Sequence, residues 1–124
     1  MSAAGRGVHR WFPEQQRQHT RRMTRIDTFR TMVAKSPDNA LARFGLANEA
    51  LKEGLWEEAR EQLVAYLALY DDEGNGWSRL AEALEKLGRT DEAREALRQG
   101  IAASHRFGHG GMAAELEERL ELLD

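Results

Sequence analysis

The acidic run Asp71-x-Glu73-x-Asn75-Gly76, with Glu82 six residues after the glycine, has the spacing of a calcium-binding loop. Oxygen donors at alternate positions, followed by a glycine for the sharp turn, are what a hard cation requires. Glu73 is an unusual third ligand, and Ser78 stands where such loops carry an apolar residue. The competing reading is a solvated acidic turn between two helices. His105 and His109 have the i, i+4 separation at which one helix face offers two imidazoles to zinc. Gly108, Gly110 and Gly111 argue against a helix there, however, and no glutamate completes an H-E-x-x-H motif. Ser104 beside His105 is no hydrolase pair, because adjacent residues do not present a nucleophile and its base to each other. Cysteine is absent, which removes a thiol nucleophile, a disulfide framework and Cys-based zinc sites. No phosphate-binding glycine loop occurs. No catalytic residue, resident metal or cofactor is therefore expected, and a calcium-responsive helix pair through residues 71–82 stays as an alternative function.

The elements that would position these groups are legible from internal repetition. Gly54-Leu-Trp-Glu-Glu-Ala-Arg-Glu-Gln-Leu63 returns 34 residues later as Gly88-Arg-Thr-Asp-Glu-Ala-Arg-Glu-Ala-Leu97. Leu46/Leu80, Ala47/Ala81 and Lys52/Lys86 recur in the same register. A fixed period of this size marks a stack of helical hairpins. Ile26, Phe29, Met32 and Val33 have the spacing of one buried helix face from Thr24 onward. Ser36-Pro37-Asp38-Asn39 ends that helix, since a proline pushes its predecessor out of the α region. Asp38 or Asn39 can cap the next helix, about Ala40–Glu53, whose face Ala42, Leu46, Ala47 and Ala50 is built of small residues. Gly54 closes it. Trp56–Tyr70 returns antiparallel, with Ala59, Leu63, Tyr66, Leu67 and Tyr70 facing inward. The pattern repeats as Trp77–Leu87, Gly88 and Asp91–Ser104, then a loop over 104–111. Met112–Leu123 is an amphipathic helix with a charged outer face, suited to closing an open stack.

Bulk properties agree. The 124 residues are 41% hydrophobic and 31% charged, as expected of one domain rich in exposed helix surface. No apolar run is long enough to cross a membrane and no secretory h-region opens the chain, so the expected location is the cytoplasm. The net charge of −3 is unevenly divided. Residues 1–22 hold five arginines against Glu14, a net +4, whereas 23–124 hold 13 basic and 20 acidic residues, a net −7. Residues 1–22 read as a disordered basic leader. Three roles compete for it: a solvated tail, a nucleic-acid-touching arm in which Trp11 and Phe12 stack on bases, or an organelle-targeting segment.

The period, the small residue one turn before each inter-helix glycine and the Glu-Ala-Arg-x-x-Leu second helix together resemble the tetratricopeptide repeat. The resemblance implies an all-α, right-handed superhelical stack of antiparallel hairpins. It comprises a half repeat at 24–39, repeats at 40–73 and 74–107, and a capping helix at 111–123. Several positions depart from the pattern. Arg43 stands where the family prefers a large aromatic, a slot Trp77 fills in the second repeat. Gly100 replaces a packing alanine and is matched in the first repeat by bulky Tyr66.

The family's first helices line a concave surface, which implies a partner groove of Leu41, Phe44, Asn48 and Lys52 in the first repeat and Ser78, Arg79, Glu82 and Lys86 in the second. Phe44 lies off the packing face and could anchor a ligand or simply cover the preceding helix. Some members hold a peptide's C-terminal carboxylate on such helices; Asn48 and Arg79 fit that use, while Gly45 and Glu82 do not. The expected function is a non-catalytic module binding another protein, as a peptide or helix. A nucleic-acid-associated role through the basic leader is the other alternative. The missing first helix of the half repeat would leave Ile26, Phe29 and Met32 thinly covered, for the leader or another subunit to cap.

Overall fold

The structure, a computed structural model, describes residues 23–124, and among these every regular element is a helix. They are α1 (Arg25–Lys35), α2 (Ala40–Lys52), α3 (Trp56–Leu69), α4 (Asn75–Lys86), α5 (Thr90–Arg106) and α6 (Gly110–Leu123). Each packs chiefly on its neighbours in sequence, so the chain is a stack of antiparallel hairpins.

Local chemistry explains where each helix starts and stops. Thr24 and Asp27 form a reciprocal capping box at the start of α1. Ser36, ahead of Pro37, leaves the helix at φ −139° and ψ 80°. Of the two capping candidates it is Asn39 that serves, its side chain accepting from the Ala42 N–H at 3.1 Å. Three turns share one closure. Gly54, Gly88 and Gly108 adopt φ of 73°, 75° and 77°. The following residue in each case donates back into the helix just ended: Leu55 to Ala50 O, Arg89 to Leu84 O and His109 to Ser104 O. This is the Schellman arrangement, which needs a left-handed residue and therefore favours glycine.

That third turn corrects the expected loop over 104–111. A single glycine, Gly108, ends α5 after Arg106, and Gly110 and Gly111 belong to the first turn of α6. The expected start at Trp77 is likewise two residues late, because α4 takes in Asn75 and Gly76.

Two contiguous apolar clusters hold the stack. One joins Ile26 and Val33 of α1 to Ala42, Leu46 and Ala50 of α2. The other joins Leu63, Leu80, Leu84 and Leu97 to Leu116 of α6. Fully burying a leucine contributes roughly 1.5–3 kcal/mol, so this second cluster dominates the stabilisation. Tyr70 corrects the expected inward set: α3 ends at Leu69, Tyr70 is extended, and its side chain is 55% exposed.

The departures from the repeat pattern are compensated by neighbours. Arg43 spans back to Pro37 O and across to Gln62 Oε1, both at 3.0 Å, so its polar end is satisfied where an aromatic ring would pack. Tyr66 fits because Gly76 opposes it; a Cβ there would lie 2.7 Å from the tyrosine ring. Gly100 does the reverse, admitting Leu116 and Trp77 at distances where a Cβ would meet them at 2.9 and 3.0 Å. Gly45 opens a notch for Phe29, whose ring fills the space that an added Cβ would need.

This last contact corrects the expected exposure of α1. Ile26 is only 4% exposed, and Phe29 is half-buried in the notch on α2. Met32 alone of the three stays open, at 39%. The α1 edge therefore exposes less apolar surface than expected, and Met32 is its most open part. Residues 1–22, and with them the readings of a basic arm or a targeting segment, lie outside the described residues.

Candidate partner-binding face

Side-chain bonds across the stack sort the helices into two rows. Arg79 of α4 reaches Phe44 of α2, and Arg119 of α6 reaches Ser78 and Glu85 of α4. On the other side the Arg30 guanidinium of α1 donates to Glu58 of α3 at 2.9 and 2.7 Å. That bidentate bond raises the Arg30 pKa and holds the Glu58 carboxyl below the usual range. The first helices of the hairpins thus share one face with α6.

Two cavities open on this face. One, of about 440 Å³, is lined by Ala40, Leu41, Phe44, Tyr66, Tyr70, Asp72, Glu73 and Asn75. The other, of about 420 Å³, lies between α4 and α6 and includes Ser78, Met112, Glu115, Arg119 and Leu122. Asn75 borders both, so the two cavities adjoin. Leu122 in the one and Leu41 in the other are 81% and 80% exposed.

The floor of the first cavity is an aromatic ladder. The Phe44 and Tyr66 ring centroids lie 4.7 Å apart, and those of Tyr66 and Tyr70 5.6 Å apart. The ladder is anchored by Asp72, itself only 4% exposed. One carboxylate oxygen accepts from the Gly74 and Gly76 N–H groups at 2.7 and 2.8 Å, capping α4. The other accepts from the Tyr66 hydroxyl at 2.6 Å. Three donors and the positive end of a helix offset the cost of burying this charge. Burial pushes the Tyr66 phenol pKa up, and the Asp72 carboxylate adds to the rise.

The same contacts dispose of the calcium reading. Of the expected ligands, Asp71 pairs with Arg106 at 2.7 Å and Glu73 lies 3.7 Å from His109. Gly76 falls within α4, so the loop is too short to wrap a cation. Among the described residues no three acidic or histidine side chains converge where they could hold a metal ion. His105 stays in the last turn of α5 and faces Glu117 at 3.4 Å, apart from the His109–Glu73 pair.

The residues expected to face a partner are distributed as follows. Leu41 and Phe44 line the first cavity and Ser78 the second, where its hydroxyl accepts from Arg119 at 2.7 Å. Arg79 is half-buried above Phe44, its guanidinium carbon 5.5 Å from the ring centroid. Asn48 and Glu82 are half-buried on the same helices without lining either cavity. Lys52 is exposed and pairs with Glu49 at 3.1 Å, and Lys86 lies 5.6 Å over the Trp56 ring. Tyr66, Tyr70, Glu73 and Asn75 were not foreseen. The i, i+4 pair Tyr66/Tyr70 next to the acidic turn was the available signal, obscured because both tyrosines fit the apolar period of α3.

Hairpins of this length, closed by glycine and stacked through small residues, define the helical-repeat class. The chain belongs to the tetratricopeptide repeat family, whose model matches residues 19–104. It is similar to a protein of Pseudomonas aeruginosa named as a TPR repeat-containing protein, with 37% identity over 92 residues, covering 74% of this chain and 86% of the relative. Repeats of this family are in general non-catalytic scaffolds for protein–protein interaction. No helix among the described residues is long and apolar enough to cross a membrane.

Proposed function

We propose that this protein is a non-catalytic interaction module that receives a peptide or helix of a partner protein in the trough formed by α2, α4 and α6. The expected cytoplasmic location belongs to the same reading. One observation carries it. A soluble domain rarely leaves large apolar groups clustered in the open without a use for them. Here Leu41 and Tyr70, 80% and 55% exposed, border a cavity of about 440 Å³ floored by the rings of Phe44 and Tyr66. The volume suits one or two side chains of a ligand, and aromatic anchors of this kind account for most binding energy where they are buried.

Photocrosslinking tests the reading. A benzophenone amino acid at Leu41 or Tyr70 is expected to form adducts with a partner protein in cells, while the same group at Arg98, exposed on α5, forms none. Equal adducts from both faces, or adducts from Arg98 alone, refute it.

A further inference from the structure

Every arginine among the described residues except Arg79 has a hydrogen bond or ion pair. Arg79 has neither, and its Nε is buried without a partner. Buried polar groups are paired in the great majority of cases. The Nε is closed to an incoming group, but the two terminal nitrogens of this half-buried side chain are not among the buried atoms and can take an acceptor supplied from outside. Glu82, one turn along α4, forms no ion pair with it. The Arg79 guanidinium is instead held over the Phe44 ring, which orients its donors while leaving them free.

Phe44 thus serves two neighbouring environments, carrying an unpaired cation on one side and flooring the apolar cavity on the other. The guanidinium fork matches a carboxylate, and the cavity matches an apolar side chain. A terminal and a side-chain carboxylate carry the same single charge, so reach separates them: an internal aspartate or glutamate extends its carboxylate away from the backbone toward the half-buried Arg79. We propose that this site takes an internal segment of a partner protein in which an aromatic or aliphatic side chain and an Asp or Glu lie within one helical turn. The apolar group enters the cavity beside Leu41 and Tyr70, and the carboxylate pairs with Arg79. This rests on the trough being the partner-binding face.

Two random-peptide libraries provide the test, one displaying peptides with both ends fused and one with free C-termini, both selected against the full chain. The fused library is expected to enrich peptides with an acidic residue next to an aromatic or aliphatic one. Amidated synthetic copies should bind Arg79→Gln more weakly by about tenfold or more, as expected for losing one partner of a shielded charge pair. In that variant, changing the peptide's acid to its amide should have no further effect. Unchanged helical circular dichroism and melting of Arg79→Gln would establish that its fold is intact, and Arg79→Lys should recover part of the affinity. Enriched peptides that lack acids, or ignore Arg79→Gln yet are lost with Leu41→Glu, would overturn the proposal and leave the trough standing. Enrichment from the free-terminus library alone would assign the carboxylate to a chain end and overturn it likewise. Enrichment from neither library would remove both readings.

Discussion

The Tyr66 hydroxyl donates to the Asp72 carboxylate at 2.6 Å, tying the second helix of one repeat to the first turn of the next. Asp72 is at once the cap of α4 and the acceptor of that bond. Tyr66→Phe should cost about 1–3 kcal/mol by leaving a buried carboxylate oxygen unpaired. Asp72→Asn should cost a comparable amount, and the double variant less than the two together. Urea denaturation of the four proteins measures this coupling; strict additivity would contradict it.

The same substitution should have opposite signs at different glycines. Gly100→Ala places a Cβ 2.9 Å from Leu116 Cδ1 and 3.0 Å from Trp77 Cβ, so overpacking should destabilise by about 1–3 kcal/mol despite a better helix former. At Gly110 and Gly111, inside α6, an added Cβ meets nothing within 4 Å. Alanine there should stabilise by about 0.5–1 kcal/mol. Thermal melts of the three variants decide it.

The Arg30–Glu58 bond should make the α1 junction sensitive to acid. The Arg30 hydrogen bond lowers the folded-state pKa of Glu58, so the native protein binds fewer protons than the unfolded chain. The contribution is complete above the ordinary glutamate range and is lost as pH falls through the depressed native value. Glu58→Gln should therefore flatten the acid limb of stability against pH while changing its alkaline limb little. An unchanged acid limb would show that the bond contributes nothing.

Leu41 and Tyr70 should be dispensable for folding. Leu41→Glu ought to change stability by no more than about 0.5 kcal/mol, the range of exposed surface positions, and Tyr70→Ala by about 0.5–1.5 kcal/mol through its lost contact with Tyr66. They should nonetheless abolish partner retention on the immobilised protein. A loss of stability with retention intact would reverse the assignment.

Periodicity carried the hairpins, because burial repeats where the helix repeats, and the small residues at Ala42, Ala47, Ala81 and Ala93 could only mean close helix approach. What it could not carry was contact between elements. Gly100 and Tyr66 read as irregularities until Leu116 and Gly76 were seen opposite them. Phe29 read as uncovered because nothing in a linear pattern pairs it with Gly45. The acidic turn was misleading for a related reason: spacing counts carboxylates but not their direction, and Asp71 turns to Arg106 while Glu73 faces His109. At the trough, Leu41 and Phe44 were legible from helix phase, whereas Tyr70 entered it only because α3 stops one residue before it.

The pairing of Tyr66 with Gly76 and of Gly100 with Leu116 and Trp77 has a further consequence. Each junction has its own lock and key, large against absent in one case and absent against large in the other. The two hairpins are therefore not interchangeable modules, although their sequences align. A chain with the repeats transposed would set tyrosine against leucine at one seam and leave a void at the other. The order of the repeats is written into their side-chain volumes.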